Sequence, residues 1–221
     1  DMKRYDDAQK AADAFFNAAD KADYSYLDYM YYGHLLNALK KYDEAVMQYQ
    51  KAIELDTSKT ELWREISNAY EQKNDYTDAI VAYQKYYEAL PADEQTADLQ
   101  FQIGKLYYGK GTQSDTLTVS LDERKAALVS ADSVFAVIAQ AAPDSYLGNF
   151  WRARANSALD PETTQGLAKP YYEEVAALLV NKNDPRYNSA LVECYSYLGY
   201  YYLVANKLPE SKEYLLSLIH I

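Results

Sequence analysis

Apolar residues recur along this chain at spacings of three and four, not in strict alternation. Tyr29, Tyr32, Gly33 and Leu36 are followed by Ala45, Tyr49 and Ala52. Such spacing lines one face of an α-helix and predicts a chain of amphipathic helices. Polar punctuation separates them. Ser58-x-x-Glu61 and Ser120-x-x-Glu123 have the form of capping boxes, which satisfy the orphan amides of a first helical turn. Asp184 before Pro185 predicts an N-cap with proline at the first helical position. Pro91 and Pro143 predict helix stops, and Gly109 and Gly111 a helix termination.

The helical pattern repeats. Tyr29 and Trp63 lie 34 positions apart, as do Gly33 and Ser67, Tyr42 and Tyr76, Ala45 and Ala79, and Tyr49 and Tyr83. Five equal offsets between chemically similar residues define a period of one helix pair. Small residues at 33, 45 and 79 fall where paired helices approach most closely. One helical hairpin cannot bury its apolar face alone, but stacked neighbours bury a continuous core.

These residues resemble the tetratricopeptide repeat (TPR) pattern: an aromatic, then Leu-Gly and Tyr in a first helix, then Ala, aromatic and Ala in a second, closed by Pro. Trp63, Ile66, Ser67, Tyr70, Ala79, Tyr83, Tyr86 and Pro91 match it, with Ser67 for Gly and Tyr86 for Ala. Tyr29, Tyr32, Gly33, Leu36, Ala45, Tyr49 and Ala52 match with Thr57 in place of Pro. A third unit has Ile103, Gly104 and Tyr107, then Ala131, Phe135 and Pro143. Gly104 to Ala131 spans 27 positions where Gly33 to Ala45 spans 12, so about 15 residues are inserted. Tyr5-Asp6-Asp7-Ala8 is similar to a second helix without its first. Units around Phe150–Leu159 with Ala168, Tyr172 and Val175, and around Leu198-Gly199 with Tyr202, Ser211 and Leu215, fit more loosely.

The resemblance implies one all-α domain over 1–221: a right-handed superhelical solenoid of about five and a half antiparallel helix pairs. Its units are 5–22 (partial), 26–57, 60–93, 97–143 with an inserted loop at 109–123, 146–181 and 188–221 (truncated). It also implies a concave groove lined by the exposed positions of the first helices. Mapped onto this chain these are Met30, His34, Asn37, Arg64, Asn68, Glu71, Phe101, Lys105, Tyr108, Phe150 and Arg154. Arg64 with Asn68 resembles part of the basic-plus-Asn clamp that some family members close on a peptide carboxylate. Gln102 stands where that clamp has Asn, and Leu147 and Trp151 where it has basic residues, so the clamp is not expected to be complete. Tyr-rich chains of this kind resemble TPR proteins of gut bacteria, many of them exported, which favours an extracytoplasmic location.

Composition sharpens this picture. The chain has 221 residues, 49% hydrophobic and 25% charged, with 25 Tyr, only 7 Gly and 6 Pro. So little Gly and Pro excludes a loop-rich β-sandwich. The net charge of −11 excludes the basic surface that binds a nucleic-acid backbone. It also opposes docking on anionic lipid. No apolar run reaches the roughly 20 residues of a membrane span. Thirteen tyrosines fall on repeat packing positions: 5, 29, 32, 42, 49, 70, 76, 83, 86, 107, 172, 195 and 202. A half-buried ring with a wet hydroxyl suits a thin two-layer stack.

Candidate chemistry is sparse. Gly104-x-x-x-x-Gly109-Lys110 has the outline of a phosphate loop, but Gly111 replaces the Ser or Thr that binds magnesium, and no strand precedes it. Cys194, the single cysteine, sits in an apolar run and reads as a small buried hydrophobe. His34 has no second His or Cys at metal-ligand spacing. Asp43-Glu44 and Asp93-Glu94 sit at helix starts, where they favour the macrodipole. No metal, cofactor or catalytic residue is expected. The polar insertion around Gly111-Thr112-Gln113-Ser114-Asp115-Thr116 reads as a mobile loop, and 160–166 as an irregular link. The ends are atypical. The chain starts at Asp1 rather than Met, so a preceding piece is expected. The terminal Leu216-Ser217-Leu218-Ile219-His220-Ile221 matches an in-frame translation of a common sequencing-transposon end, so the natural chain is expected to continue differently.

These features point to a non-catalytic scaffold that binds a peptide segment or partner protein in its groove. Two alternatives stand beside it: a structural subunit or assembly factor of an envelope complex, and a repeat module of a larger enzyme.

Overall fold

The computed structural model describes residues 2–18, 24–114 and 119–220. Within them eleven α-helices follow one another in adjacent pairs, with no strand. In chain order they are α1 (Met2–Ala18), α2 (Tyr26–Ala38), α3 (Tyr42–Leu55), α4 (Leu62–Gln72), α5 (Tyr76–Ala89), α6 (Ala97–Thr112), α7 (Leu121–Ala141), α8 (Leu147–Leu159), α9 (Lys169–Lys182), α10 (Asn188–Val204) and α11 (Leu208–Ser217). The all-α repeat architecture is the one the periodicity predicts. The chain divides into two compact units, residues 1–96 with α1–α5 and residues 97–221 with α6–α11.

In the first unit each helix packs on its neighbours in sequence. Trp63 meets Lys85, and Ser67 meets Ala79, so α4 and α5 run antiparallel. Leu36, Tyr49, Leu62 and Ile66 form the centre of the core. A Cβ on Gly33 would fall 2.6 Å from the Tyr49 ring, so only glycine lets α2 and α3 close to this distance. Gly104 and Phe135 repeat the contact in the second unit, at 2.7 Å. Where Ser67 replaces glycine, its Oγ donates to the Ala79 carbonyl at 2.7 Å. At the last pair the roles reverse: Ser211 Oγ donates to the Gly199 carbonyl at 2.8 Å. The close approach survives the substitution because the hydroxyl finds an acceptor across the helix pair.

Helix ends obey local chemistry. Ser120 and Glu123 form the expected capping box: the Ser120 N–H donates to Glu123 Oε2 at 2.9 Å, and the Glu123 N–H to Ser120 Oγ at 3.3 Å. Ser25 and Asp28 make a box that the sequence pattern missed. Asp184 caps a short 3-10 turn, Pro185–Tyr187, that leads straight into α10. The Ser58 box does not form. Its N–H and Oγ both donate to Asp56 Oδ1, at 3.0 and 2.6 Å, and α4 starts later with Glu61 at its N-cap. A carboxylate two residues away wins over one three residues on.

The turn between first and second helix is built alike in three places. Lys40, Asn74 and Asn206 are left-handed, with φ of 61°, 63° and 56°. The residue after each donates its N–H back to the carbonyl of Leu36, Tyr70 and Tyr202 respectively, at 2.8–2.9 Å. This is a Schellman-type ending without glycine.

The second unit corrects two expectations. α6 passes through Gly109 and Gly111 to Thr112, and α7 begins at Leu121, so residues 109–112 and 121–123 of the 109–123 insertion extend the helix pair. Gly111 continues the helix because its bare Cα lies against Leu128 and the Arg124 carbonyl, where a Cβ would be only 2.4 Å from Leu128 Cγ. Residues 115–118 of the insertion lie outside the described residues. The 160–166 link is irregular but pinned. Asp160 is buried, and its carboxylate accepts the N–H groups of Thr164, Gln165 and Gly166 at 2.8–3.1 Å.

Of the tyrosines assigned to packing, 49, 83, 86 and 172 are buried, and 29, 32, 42, 70, 76, 107, 195 and 202 are half-buried. The side chain of Tyr5 lies outside the described residues, as does that of His220. Cys194 is fully buried, and burial, aided by the nearby Glu193 charge, pushes its thiol up to about 12. That matches an inert core residue.

Candidate functional site

In the first unit, residues 27, 30, 34 and 37 on α2 correspond, 34 positions on, to 61 at the N-cap of α4 and 64, 68 and 71 within it. Gly33 and Leu36 turn the opposite side of α2 into the core, and Leu62 and Ile66 do so for α4, so both sets share the face left outside it. Leu27 and His34 are exposed; Met30 and Asn37 are half-buried. Nδ1 of His34 and the Tyr49 hydroxyl are hydrogen-bonded at 3.0 Å. Asn37 Oδ1 is a buried atom that accepts no hydrogen bond among the described residues. The N-cap Glu61 and Arg64 on α4 are exposed, Asn68 and Glu71 half-buried. The Arg64 guanidinium lies 5.5 Å from the Tyr86 ring centre and 3.8 Å from Glu65.

The second unit presents rings instead. Phe101 on α6 stands edge-on to Phe135 and to Trp151, with ring centres 5.4 and 5.7 Å apart. Tyr108 meets Trp151 edge-on at 5.3 Å. Phe101, Lys105, Tyr108 and Trp151 are all half-buried. Arg154 on α8 lies 4.9 Å from the Trp151 ring centre. It is not a free cation. Its Nε donates to Glu193 Oε1 at 2.8 Å and its Nη2 to Oε2 at 2.6 Å, a bidentate pair with α10. The Tyr172 hydroxyl donates to the same carboxylate at 2.9 Å. Glu193 thereby raises the pKa of Arg154 further, and burial followed by the Glu193 charge raises that of Tyr172.

Phe150, placed by sequence on the groove, is instead 7% exposed and part of the core, its ring 6.4 Å from that of Tyr172. The cause is that α8 packs between α7 and α9, so both of its flanks are covered. Trp151, one position on, takes the accessible side. Sequence reasoning missed Glu193 and read Tyr172 only as a packing ring, not as a donor to that carboxylate. Both follow Arg154 across the irregular 160–166 link, where the 34-residue offset no longer holds.

The chain is similar to a solved structure, the C-terminal part of a TPR repeat-containing protein from Cytophaga hutchinsonii. Identity is 29%, the TM-score 0.67, and the match covers 98% of this chain and 78% of that one. With the 34-residue period and the glycine–aromatic contacts, this match decides the fold. The chain has the TPR fold. Two further TPR-like folds are more distant in sequence. MamA matches at 15% identity and TM-score 0.54 over 88% of this chain and 90% of its own. YrrB, a TPR protein with an unusual peptide-binding site, matches at 19% identity and TM-score 0.52 over 95% of this chain and 92% of its own. No family model and no curated protein matches the chain.

The two units differ in what they offer. The first presents carboxylates, an unfilled amide acceptor and exposed aliphatic surface; the second presents an aromatic shelf with an internally neutralised arginine. Among the described residues, no three His, Cys, Asp or Glu side chains lie together as a metal site, and no helix is long and apolar enough to cross a membrane.

Proposed function

We propose that this TPR-fold protein is a non-catalytic scaffold that binds an extended peptide segment of a partner protein along its first-helix faces. The observation that carries the reading is the aromatic shelf of Phe101, Tyr108 and Trp151. Three large half-buried rings hold one another edge-on without being covered. Rings fixed in this way supply contact area with little entropy left to lose, which is how binding hot spots work. Lys105 beside them adds a cation that makes no ion pair among the described residues. The fold and the peptide-binding site named for YrrB agree with the reading.

The test is selection from a displayed library of random 12-residue peptides, followed by titration of the enriched peptides. Tyr108→Ala and Lys105→Glu are each expected to weaken the peptides selected on the wild type by tenfold or more, with helicity unchanged. Unaltered binding to every variant would overturn the proposal.

A further inference from the structure

α8 carries two arginines and no carboxylate, in a chain whose net charge is −11. Two positions apart on a helix, the two side chains leave on different flanks. Arg152 turns to α7, where its Nε donates to Asp132 Oδ1 at 3.0 Å. Arg154 turns to the shelf: its guanidinium lies 4.5 Å from the Phe150 ring centre and 4.9 Å from that of Trp151. Left alone, it would make this end of the shelf a cationic site. Glu193 of α10 prevents that. Both of its carboxylate oxygens accept from the guanidinium, which fixes the guanidinium plane and cancels its charge. The Tyr172 hydroxyl donates to the same carboxylate and holds it in place. The pair is not sealed off. Each side chain keeps 32% of its surface exposed, so a ligand lying on Trp151 meets both. The balance of the two charges reaches the next ring as well. Burial raises the pKa of Tyr108, the Arg154 charge lowers it and the Glu193 charge raises it. Lys105, between Phe101 and Tyr108 on α6, makes no ion pair among the described residues and keeps its charge.

We infer that Glu193 sets the specificity of the shelf: by cancelling Arg154 it reserves the Trp151 end for an uncharged, apolar side chain of the bound segment. A carboxylate of that segment is left to Lys105. Glu193 is a positioning residue, since it acts on the ligand through Arg154. This inference rests on the peptide-binding reading above and adds the chemistry of the ligand to it.

The same random 12-residue library tests it, selected on wild type, on Glu193→Gln, on Arg154→Met and on the variant with both changes. Wild type is expected to enrich peptides with an aromatic, Leu, Met or Pro anchor. Glu193→Gln uncovers the guanidinium, so residues beside the anchor should shift toward Asp and Glu. Arg154→Met uncovers the carboxylate, and the shift should be toward Lys and Arg. The double variant has neither charge and should return to the wild-type preference. Two peptides that differ only by Glu or Gln beside the anchor give the measurement. Their affinity ratio should move about fivefold toward Glu on Glu193→Gln and about fivefold away from it on Arg154→Met, the size of effect a partly exposed charge pair gives. On the double variant it should match wild type within about twofold, the scatter expected where no charge differs. Tyr172→Phe removes a hydrogen bond from the carboxylate but not the charge, so it should keep the wild-type ratio. A ratio that is the same on every protein overturns this inference and leaves groove binding standing. So does a shift that Tyr172→Phe shares with Glu193→Gln, which marks disturbed packing rather than charge. Failure to enrich any peptide removes both. Selections run well below the melting midpoint of each variant separate lost folding from lost binding.

Discussion

At the residue scale, the most informative side chain is Arg154. Its sequence position suggested a cation open to a ligand, but its charge is already answered by Glu193. The partner is 39 residues away, beyond a link of irregular length, and no local pattern points to it. Replacement of Glu193 by Gln keeps the shape, removes the charge and leaves a half-buried guanidinium under-paired. Hydrogen bonds to charged groups contribute about 1.5–3 kcal/mol, and partial exposure of both side chains reduces this. A loss of about 1 kcal/mol in unfolding free energy is the expected outcome, read by denaturant melts. Lys40 gives a prediction of opposite sign. It is the one left-handed position among the three matched turns not occupied by Asn. A side chain there costs roughly 1–2 kcal/mol that glycine avoids, less what glycine adds to the entropy of the unfolded chain. Lys40→Gly is expected to stabilise by about 0.5–1 kcal/mol, and Asn74→Ala to destabilise by a similar amount.

At the element scale, what the sequence made legible was the pairing of helices, because pairing depends on small residues and rings at fixed spacing. Gly33 with Tyr49 and Gly104 with Phe135 meet as the period requires. Gly33→Ala places a methyl 2.6 Å from a ring that is itself fully buried and has nowhere to turn. Overpacking of this kind costs about 1–3 kcal/mol, and the roughly 1 kcal/mol that alanine gains in helix propensity only partly offsets it. A lower melting temperature is therefore expected despite the better helix former. What could not be read were decisions between rival local partners. Ser58 chose Asp56 over Glu61, and α6 ran through two glycines because α7 lies against it. Both outcomes depend on the geometry of a neighbour rather than on the residue itself. The same limit explains Phe150. Periodicity identifies a face, but α8 has two flanks covered, and the covered side is decided by packing.

At the scale of the whole molecule, the abundance of tyrosine sets the response to alkali. Burial pushes Tyr83 and Tyr197 up to about 12; burial and a hydrogen bond to Asp13 do the same for Tyr32. Tyr49 and Tyr172 are raised further. In the unfolded chain these hydroxyls ionise near 10. The folded state holds the proton more tightly, so its advantage is complete below pH 10 and drains away as pH climbs from there through 12. Melting temperature should be flat to about pH 9, where the Cys194 thiol begins to contribute, and then fall steeply. Tyrosinate absorbance near 295 nm should appear in two steps: exposed rings first, buried ones together with loss of helicity. A buried-ring signal that rises while helicity persists would contradict this packing. The matched turns at Lys40, Asn74 and Asn206 have a consequence of a different kind. Each closes its backbone hydrogen bonds within six residues of its own repeat. The chain can therefore be edited in whole periods. Excising residues 37–70 joins Leu36 to Glu71, in phase, and leaves the turn at Asn74 with its helix and its acceptor position intact. A chain one repeat shorter should still fold, which makes this turn the joint at which such proteins can gain or lose length by duplication and deletion.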